Sequence, residues 1–156
     1  MSVPFSVRPA HAQDLAAIYS GELDYILQAE PHQEKRWKDA IPLHLKQWTS
    51  SLDRMFVAES GGEVVGYFFW EVHDTHAELA SIYMVPHRRR EGVACRLLEA
   101  FLVDAARHGL AGATLGVKPD NPARIFYEKM GFTRTGTERG YHRYRCDFSS
   151  DPLAAG

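Results

Sequence analysis

Cysteine is scarce in this 156-residue chain, and its two copies, Cys95 and Cys146, stand far apart with no CxxC spacing and no His-rich partner motif. That pattern offers neither a disulfide framework nor a zinc site, and it fits a reducing, cytoplasmic setting. Long apolar runs are lacking too. No stretch approaches the ~20 residues of a membrane span, and the start MSVPFSVRPAHAQD has no charged segment leading into an apolar one. The expectation is a soluble protein with no membrane partner. An excess of positive charge is also missing: 18 Lys and Arg stand against 20 Asp and Glu, a formal net charge of -2. This balance disfavours a nucleic-acid partner.

What is present is an ordinary globular composition, 45% hydrophobic and 24% charged, at a length that suits one domain with one core. We expect that domain to span residues 1–148 and the small, polar residues 149–156 to form a flexible tail. Alternation marks a strand over Phe5–Arg8. Helical spacing of Leu15, Ile18, Tyr19, Leu23 and Ile26 marks a helix from about Ala12, and a second helical stretch runs from Gln33 to Trp48. MFVAES-GG-EVVGYFFWEV reads as a hairpin turning at Gly61 and Gly62, and HAELASIYMV as a third strand ending before Pro86. A helix from Gly92 follows, stopped by Gly109, then a strand at ATLGV, a short helix over Pro122–Met130 and a closing strand over Tyr141–Phe148. This order predicts an α/β protein of the α+β type, with a mixed sheet and helices on both faces.

The stretch HRRREGVACRLLEAFL, His87 to Leu102, sets three arginines and a glycine where the third strand gives way to a helix. A helix start has unpaired N–H groups and the positive end of its dipole, so it attracts anions. Gly92 and Ala94 leave that surface bare, while Arg89 or Arg90 supplies charge-assisted hydrogen bonds. The residues therefore suit a pyrophosphate cradle. Neither GxxxxGK[ST] nor GxGxxG occurs.

Arg89, Gly92 and Ala94 match the [QR]xxGx[GA] signature, IYMVP precedes it, and NPARIFYEKMGF, Asn121 to Phe132, follows downstream. In these residues the chain resembles the GNAT superfamily of acyl-CoA-dependent N-acetyltransferases. The resemblance implies a mostly antiparallel central sheet of about seven strands flanked by helices, with a splayed parallel strand pair holding acetyl-CoA. It implies that backbone groups of Ile82, Tyr83 and Met84 face the acetyl and pantetheine end, and that the amides of Arg89, Arg90, Glu91, Gly92, Val93 and Ala94 face the diphosphate. Tyr127 takes the family's general-acid position, where a phenol can protonate the departing thiolate. Asn121 reads as a good N-cap, and the resemblance implies a pantetheine contact there, a role compatible with capping. Because it lies one residue nearer the tyrosine than is usual, Asp120 is the other occupant of that spacing.

An amine nucleophile must lose a proton, so a carboxylate or a water chain is needed. Glu78, on the strand leading to Met84, is the candidate base. Relatives that place a carboxylate on the following strand do so where this chain has Gly116. His73 and His76 read as turn residues, without a third ligand for a metal. Tyr25, Glu30, Trp37 and Tyr141 are candidates for the acceptor wall, and Glu22, Asp24, Glu30 and Glu34 suit either a cationic amine or a solvated face. The function expected is acetyl transfer from acetyl-CoA to a primary amine of a small molecule or peptide, without a metal. An inactive acyl-CoA-binding sensor is the alternative, and a homodimer is expected because many relatives are dimers.

Overall fold

The computed structural model describes residues 4–149; of the expected tail, 150–156 lie outside them. Seven strands hydrogen-bond in the order β1-β2-β3-β4-β5-β7-β6: β1 Ser6–Pro9, β2 Met55–Ser60, β3 Glu63–His73, β4 His76–Met84, β5 Gly112–Val117, β6 Thr133–Glu138 and β7 Tyr141–Asp147. The β4–β5 pair is parallel, and β1–β2, β2–β3, β5–β7 and β6–β7 are antiparallel. The helices are α1 Leu15–Ala29, α2 Glu34–Asp39, α3 Ile41–Ser50, α4 Val93–Arg107 and α5 Ala123–Lys129. The described residues fall into two compact units, 4–70 with Ser81–Phe101, and Glu71–Ala80 with 102–149.

In the first unit, the period of two along a strand sorts the helices onto opposite faces. Odd-numbered residues of β2 and β3, Met55, Val57, Tyr67 and Phe69, join Ile18 of α1 and Trp48 of α3 in one buried cluster. Even-numbered Phe56 and Phe68 stack with centroids 5.3 Å apart, and Phe68 meets Phe101 of α4 at 5.8 Å. One face thus carries α1 and α3 and the other α4. The helical spacing in α4 puts Val93, Leu97, Leu98 and Phe101 inward, all at most 1% exposed. Trp48 is core, whereas Trp37 is half-buried against it, with ring centroids 6.4 Å apart.

Two differences from the sequence reading have local causes. The expected helix over 33–48 is two helices, broken at Ala40, because Pro42 occupies the first turn of α3. Proline tolerates a helix start but not an interior, where its ring clashes and its missing N–H breaks the ladder. The strand β6, Thr133–Glu138, carries no strand signal in the sequence because all six residues are exposed and show no apolar alternation. Its two-residue turn into β7 begins with Arg139 at φ 53°, before Gly140 at φ 83°. The β2–β3 turn, with Gly61 at φ 58° and Gly62 at φ 84°, is the readable version of the same geometry.

In the second unit, β5 lies between β4 and β7, with Ala113, Leu115 and Val117 buried. The parallel ladder pairs His76, Ala77 and Glu78 with Gly112, Ala113 and Thr114, ending there although β4 and β5 both continue.

Gly66 permits the close packing of β3 in the first unit. A Cβ there would lie 2.8 Å from the Tyr83 carbonyl oxygen and 3.1 Å from a Leu97 methyl. Because the nearer atom is backbone, we expect Gly66→Ala to destabilise the protein by about 1–3 kcal/mol, read as a lower Tm in thermal unfolding. An unchanged Tm would contradict the packing described.

Candidate active site

The turn from β4 into α4 is built from three backbone choices. Pro86–Arg88 forms a single 3-10 turn, Arg90 takes a left-handed conformation at φ 68°, and Gly92 takes another at φ 83°. Left-handed residues interspersed in a turn aim successive N–H groups to one side, which makes an anion-binding concavity. The 15-residue α4 adds its own unpaired amides at the same point. Nothing lies within 4 Å of where a Gly92 Cβ would stand, so the surface over these amides is open. The concavity fits a diphosphate by its donors, its dipole and its lack of covering side chains.

The three arginines divide the work. Arg88 is buried, and its Nε donates to both carboxylate oxygens of Glu91 at 3.1 Å, so this pair braces the turn. Arg89 is exposed, with Nε 3.3 Å from the Met84 carbonyl oxygen and its guanidinium 6.0 Å from the Tyr83 ring centroid. Arg90 is exposed on the left-handed residue. Arg89 and Arg90 can therefore reach an anion at the helix start. Upstream, the Val85 N–H donates to the Val65 carbonyl at 2.9 Å, fixing the end of β4 on β3.

Across the face that carries α1, two carboxylates meet β4. Glu22 Oε2 accepts from the Tyr67 hydroxyl at 2.8 Å and from the Ser81 hydroxyl at 2.9 Å. Asp24 accepts from the Tyr83 hydroxyl at 2.5 Å and from the Gln28 amide at 2.9 Å. Burial pushes Glu22 above the ordinary carboxylate range, and its two hydroxyl donors offset this only in part. Burial and the bond to Asp24 push the Tyr83 phenol up to about 12. In the same unit, a hollow of about 300 Å³ is lined by Ile26, Glu30, Arg36, Trp37 and His44. Trp37 and His44 stack there at 4.9 Å. Of the acceptor-wall candidates, Glu30 and Trp37 line this hollow, Tyr25 is exposed on α1, and Tyr141 is exposed on β7.

The second unit holds Tyr127, Asn121 and Glu78. Tyr127 is 7% exposed on α5, edge-on to Phe132 at 6.1 Å. Asn121 Oδ1 accepts the Ala123 N–H at 2.9 Å, so its carbonyl is used in capping α5. Glu78 is held by Arg143 in a two-pronged ion pair, 2.8 Å to Oε1 and 2.6 Å to Oε2, and Thr114 also donates to Oε2. Burial raises the Glu78 pKa, but the Arg143 and Thr114 bonds outweigh it and leave the carboxyl below its usual range. Gly116 makes room for this pair, since a Cβ there would fall 2.9 Å from Arg143 Nη1. Sequence reasoning missed Arg143; the bare Gly116 opposite it was the available signal, and β7 pairs the two residues directly. His76 bridges Thr75 and Asp147 at 2.9 and 2.7 Å, while His73 is exposed. Among the described residues, no group of three or more His, Cys, Asp or Glu is placed to hold a metal, and no helix is long and apolar enough to cross a membrane.

Residues 14–132 match the model of the acetyltransferase (GNAT) family. The chain belongs to this family. It is 37% identical over 90 residues to a mycothiol acetyltransferase of Streptomyces bingchenggensis, covering 55% of this chain and 29% of that protein. It is 28% identical over 120 residues to the [ribosomal protein bS18]-alanine N-acetyltransferase of Escherichia coli K12, covering 74% and 80% of the two chains. The chain thus spans about a third of the length of the mycothiol acetyltransferases it matches. Among solved structures, PaiA N-acetyltransferase from Thermoplasma acidophilum, in complex with coenzyme A, superposes with a TM-score of 0.77 at 18% identity over 93% of this chain and 99% of that one. The fold is that of the family: the expected seven-strand, mostly antiparallel sheet with one parallel pair.

The Glu78–Arg143 pair makes a sharp expectation. Both side chains are under a third exposed, so Arg143→Leu should cost about 1–3 kcal/mol at pH 7 by leaving a half-buried carboxylate without its cation. A lowered native pKa means that the pair's stabilisation is present above the unfolded value of 4.5 and is lost as pH falls through the native one. Urea unfolding should therefore show the variant's deficit at pH 7 and its disappearance as pH falls below the ordinary carboxylate range. A deficit independent of pH would contradict the assignment.

Proposed function

We propose that this chain is an acetyl-CoA-dependent N-acetyltransferase acting on a primary amine of a small molecule or peptide. The observation that carries the reading is the open concavity of amides at Arg90–Ala94, made by left-handed Arg90 and Gly92 at the start of α4, in a chain of the GNAT family; the Arg89 N–H, expected among these donors, is instead given to the Pro86 carbonyl at 3.3 Å. Acetyl-CoA supplies the acetyl group as a thioester. The amides of Arg90, Glu91, Gly92, Val93 and Ala94 bind the diphosphate, with the Arg89 and Arg90 guanidinium groups adding charge-assisted bonds. Backbone groups of Ile82, Tyr83 and Met84 align the pantetheine end, and the Met84 N–H polarises the thioester carbonyl.

Tyr127 gives its hydroxyl proton to the departing sulfur. A phenol of ordinary pKa near 10 remains protonated at neutral pH and can donate to a thiolate without prior ionisation. Its presence favours turnover over a CoA-binding sensor. Asn121 contributes through its side-chain amide nitrogen, its oxygen being engaged on Ala123. Both Glu78 oxygens are engaged by Arg143, which supports a bracing role for Glu78 or one exerted through water. Among the relatives, one is named a mycothiol acetyltransferase and another a [ribosomal protein bS18]-alanine N-acetyltransferase, names that fit acetyl transfer to a small molecule or to a peptide. The hollow lined by Trp37 and Glu30 suits the remainder of such an acceptor. The reading also includes a single domain over 1–148, a cytoplasmic setting and a homodimer, on the composition and the family habit.

The test is thiol release from acetyl-CoA against a panel of primary amines. We expect amine-dependent release, a fall of about 10²–10⁴-fold in kcat for Tyr127→Phe, and a raised KM for acetyl-CoA in Arg89→Ala. Tight CoA binding with no release for any amine would overturn the enzymatic reading.

A further inference from the structure

Acetyl transfer to an amine needs a proton acceptor whose lone pairs are not already committed, and Glu78 does not meet that need, since Arg143 and Thr114 engage both its oxygens. Glu22 does. Tyr67 and Ser81 both donate to Oε2, and among the described residues neither a cation nor any hydrogen bond engages Oε1. Two hydroxyls on two strands therefore fix the carboxylate while leaving one oxygen open. We propose that Glu22 Oε1 takes the proton from the acceptor's ammonium group, making Glu22 a catalytic residue; this rests on the acetyltransferase reading above.

Three further features support the assignment. Gly21 lets α1 sit close enough to β3 for Glu22 to reach Tyr67, because a Cβ at Gly21 would fall 2.5 Å from the Tyr67 ring and hydroxyl. Ser81 lies three residues before Met84 on β4, roughly 10 Å along the strand, so the carboxylate is anchored to the strand that aligns the thioester. The groups facing Glu22 leave it basic. Tyr67 on β3 and Ser81 on β4 are neutral donors, Asp24 on α1 is tied to Tyr83 and Gln28, and the cation beyond them, Arg89, lies over the Tyr83 ring rather than on either carboxylate. Burial then leaves Glu22 a stronger base than a surface carboxylate.

In the step, the ammonium passes one proton to Glu22 Oε1, and the freed nitrogen lone pair forms the C–N bond to the acetyl carbon. The C–S bond breaks with its electron pair on sulfur, which takes the Tyr127 proton. The second nitrogen proton lost on reaching the amide passes to water, as does the one on Glu22, and water reprotonates Tyr127. The balance is one ammonium and one thioester to one amide, one thiol and one released proton.

The test compares wild type with Glu22→Gln, an isosteric change that keeps oxygen acceptors for Tyr67 and Ser81, using the amine found in the panel. We expect kcat/KM for the amine to fall about 10²-fold or more at pH 7, with KM for acetyl-CoA unchanged. The deficit should shrink roughly tenfold per pH unit as the amine loses its own proton in solution. Ser81→Ala, which retains the carboxylate and removes one donor, should move the acidic limb of the wild-type profile to higher pH. Glu22→Gln within threefold of wild type across this range, or a Ser81→Ala limb that does not move, would overturn the role of Glu22 alone. A wild type that binds acetyl-CoA and acetylates no amine would overturn the acetyltransferase reading and this role together.

Discussion

The pair of left-handed residues at Arg90 and Gly92 is the constraint on which the cradle depends. They turn the chain out of β4 and aim successive amides at one point, where α4 adds its own unpaired donors. An L-residue reaches this conformation at a cost, which Gly92 avoids and Arg90 bears. The buried Arg88–Glu91 pair holds the turn in place. A run that looks like one basic patch is thus one buried brace and two exposed guanidinium groups.

Behind the turn, packing in the first unit supplies rigidity. Val93, Leu97, Leu98 and Phe101 anchor α4 on the even-numbered face of β3, and Gly66 removes the side chain that would hold β4 away. On the other face, Gly21 brings α1 onto Tyr67. Two missing side chains set the positions of the two helices that matter for function. The carboxylates then differ by environment rather than by type: Glu78 is depressed by its arginine, whereas Glu22 is raised by burial beside neutral hydroxyls.

Much of this was legible in the sequence because it rests on local signals. The α4 face, the Gly61-Gly62 hairpin and the junction at Gly92 each depend on spacing or on glycine's backbone freedom, which a sequence displays directly. The strand β6 was not, since an exposed edge strand with no apolar face leaves no period to read. The break at Ala40 has its signal in Pro42, which a helix tolerates only in its first turn. Partnerships between distant residues are the hardest class. Arg143 meets Glu78 from 65 residues away, with only the bare Gly116 to hint at it, and Ser81 meets Glu22 from 59 residues away with no local signal at all.

We propose above that the backbone amides at the start of α4 bind the diphosphate of coenzyme A. Amide chemical-shift mapping of the 15N-labelled protein on titration with CoA tests it most directly. We expect saturable shifts that are largest for Arg90 to Ala94, with the Gly92 amide moving downfield as it gains a phosphate acceptor. CoA binding that leaves these amides unmoved, or no binding at all, would contradict it.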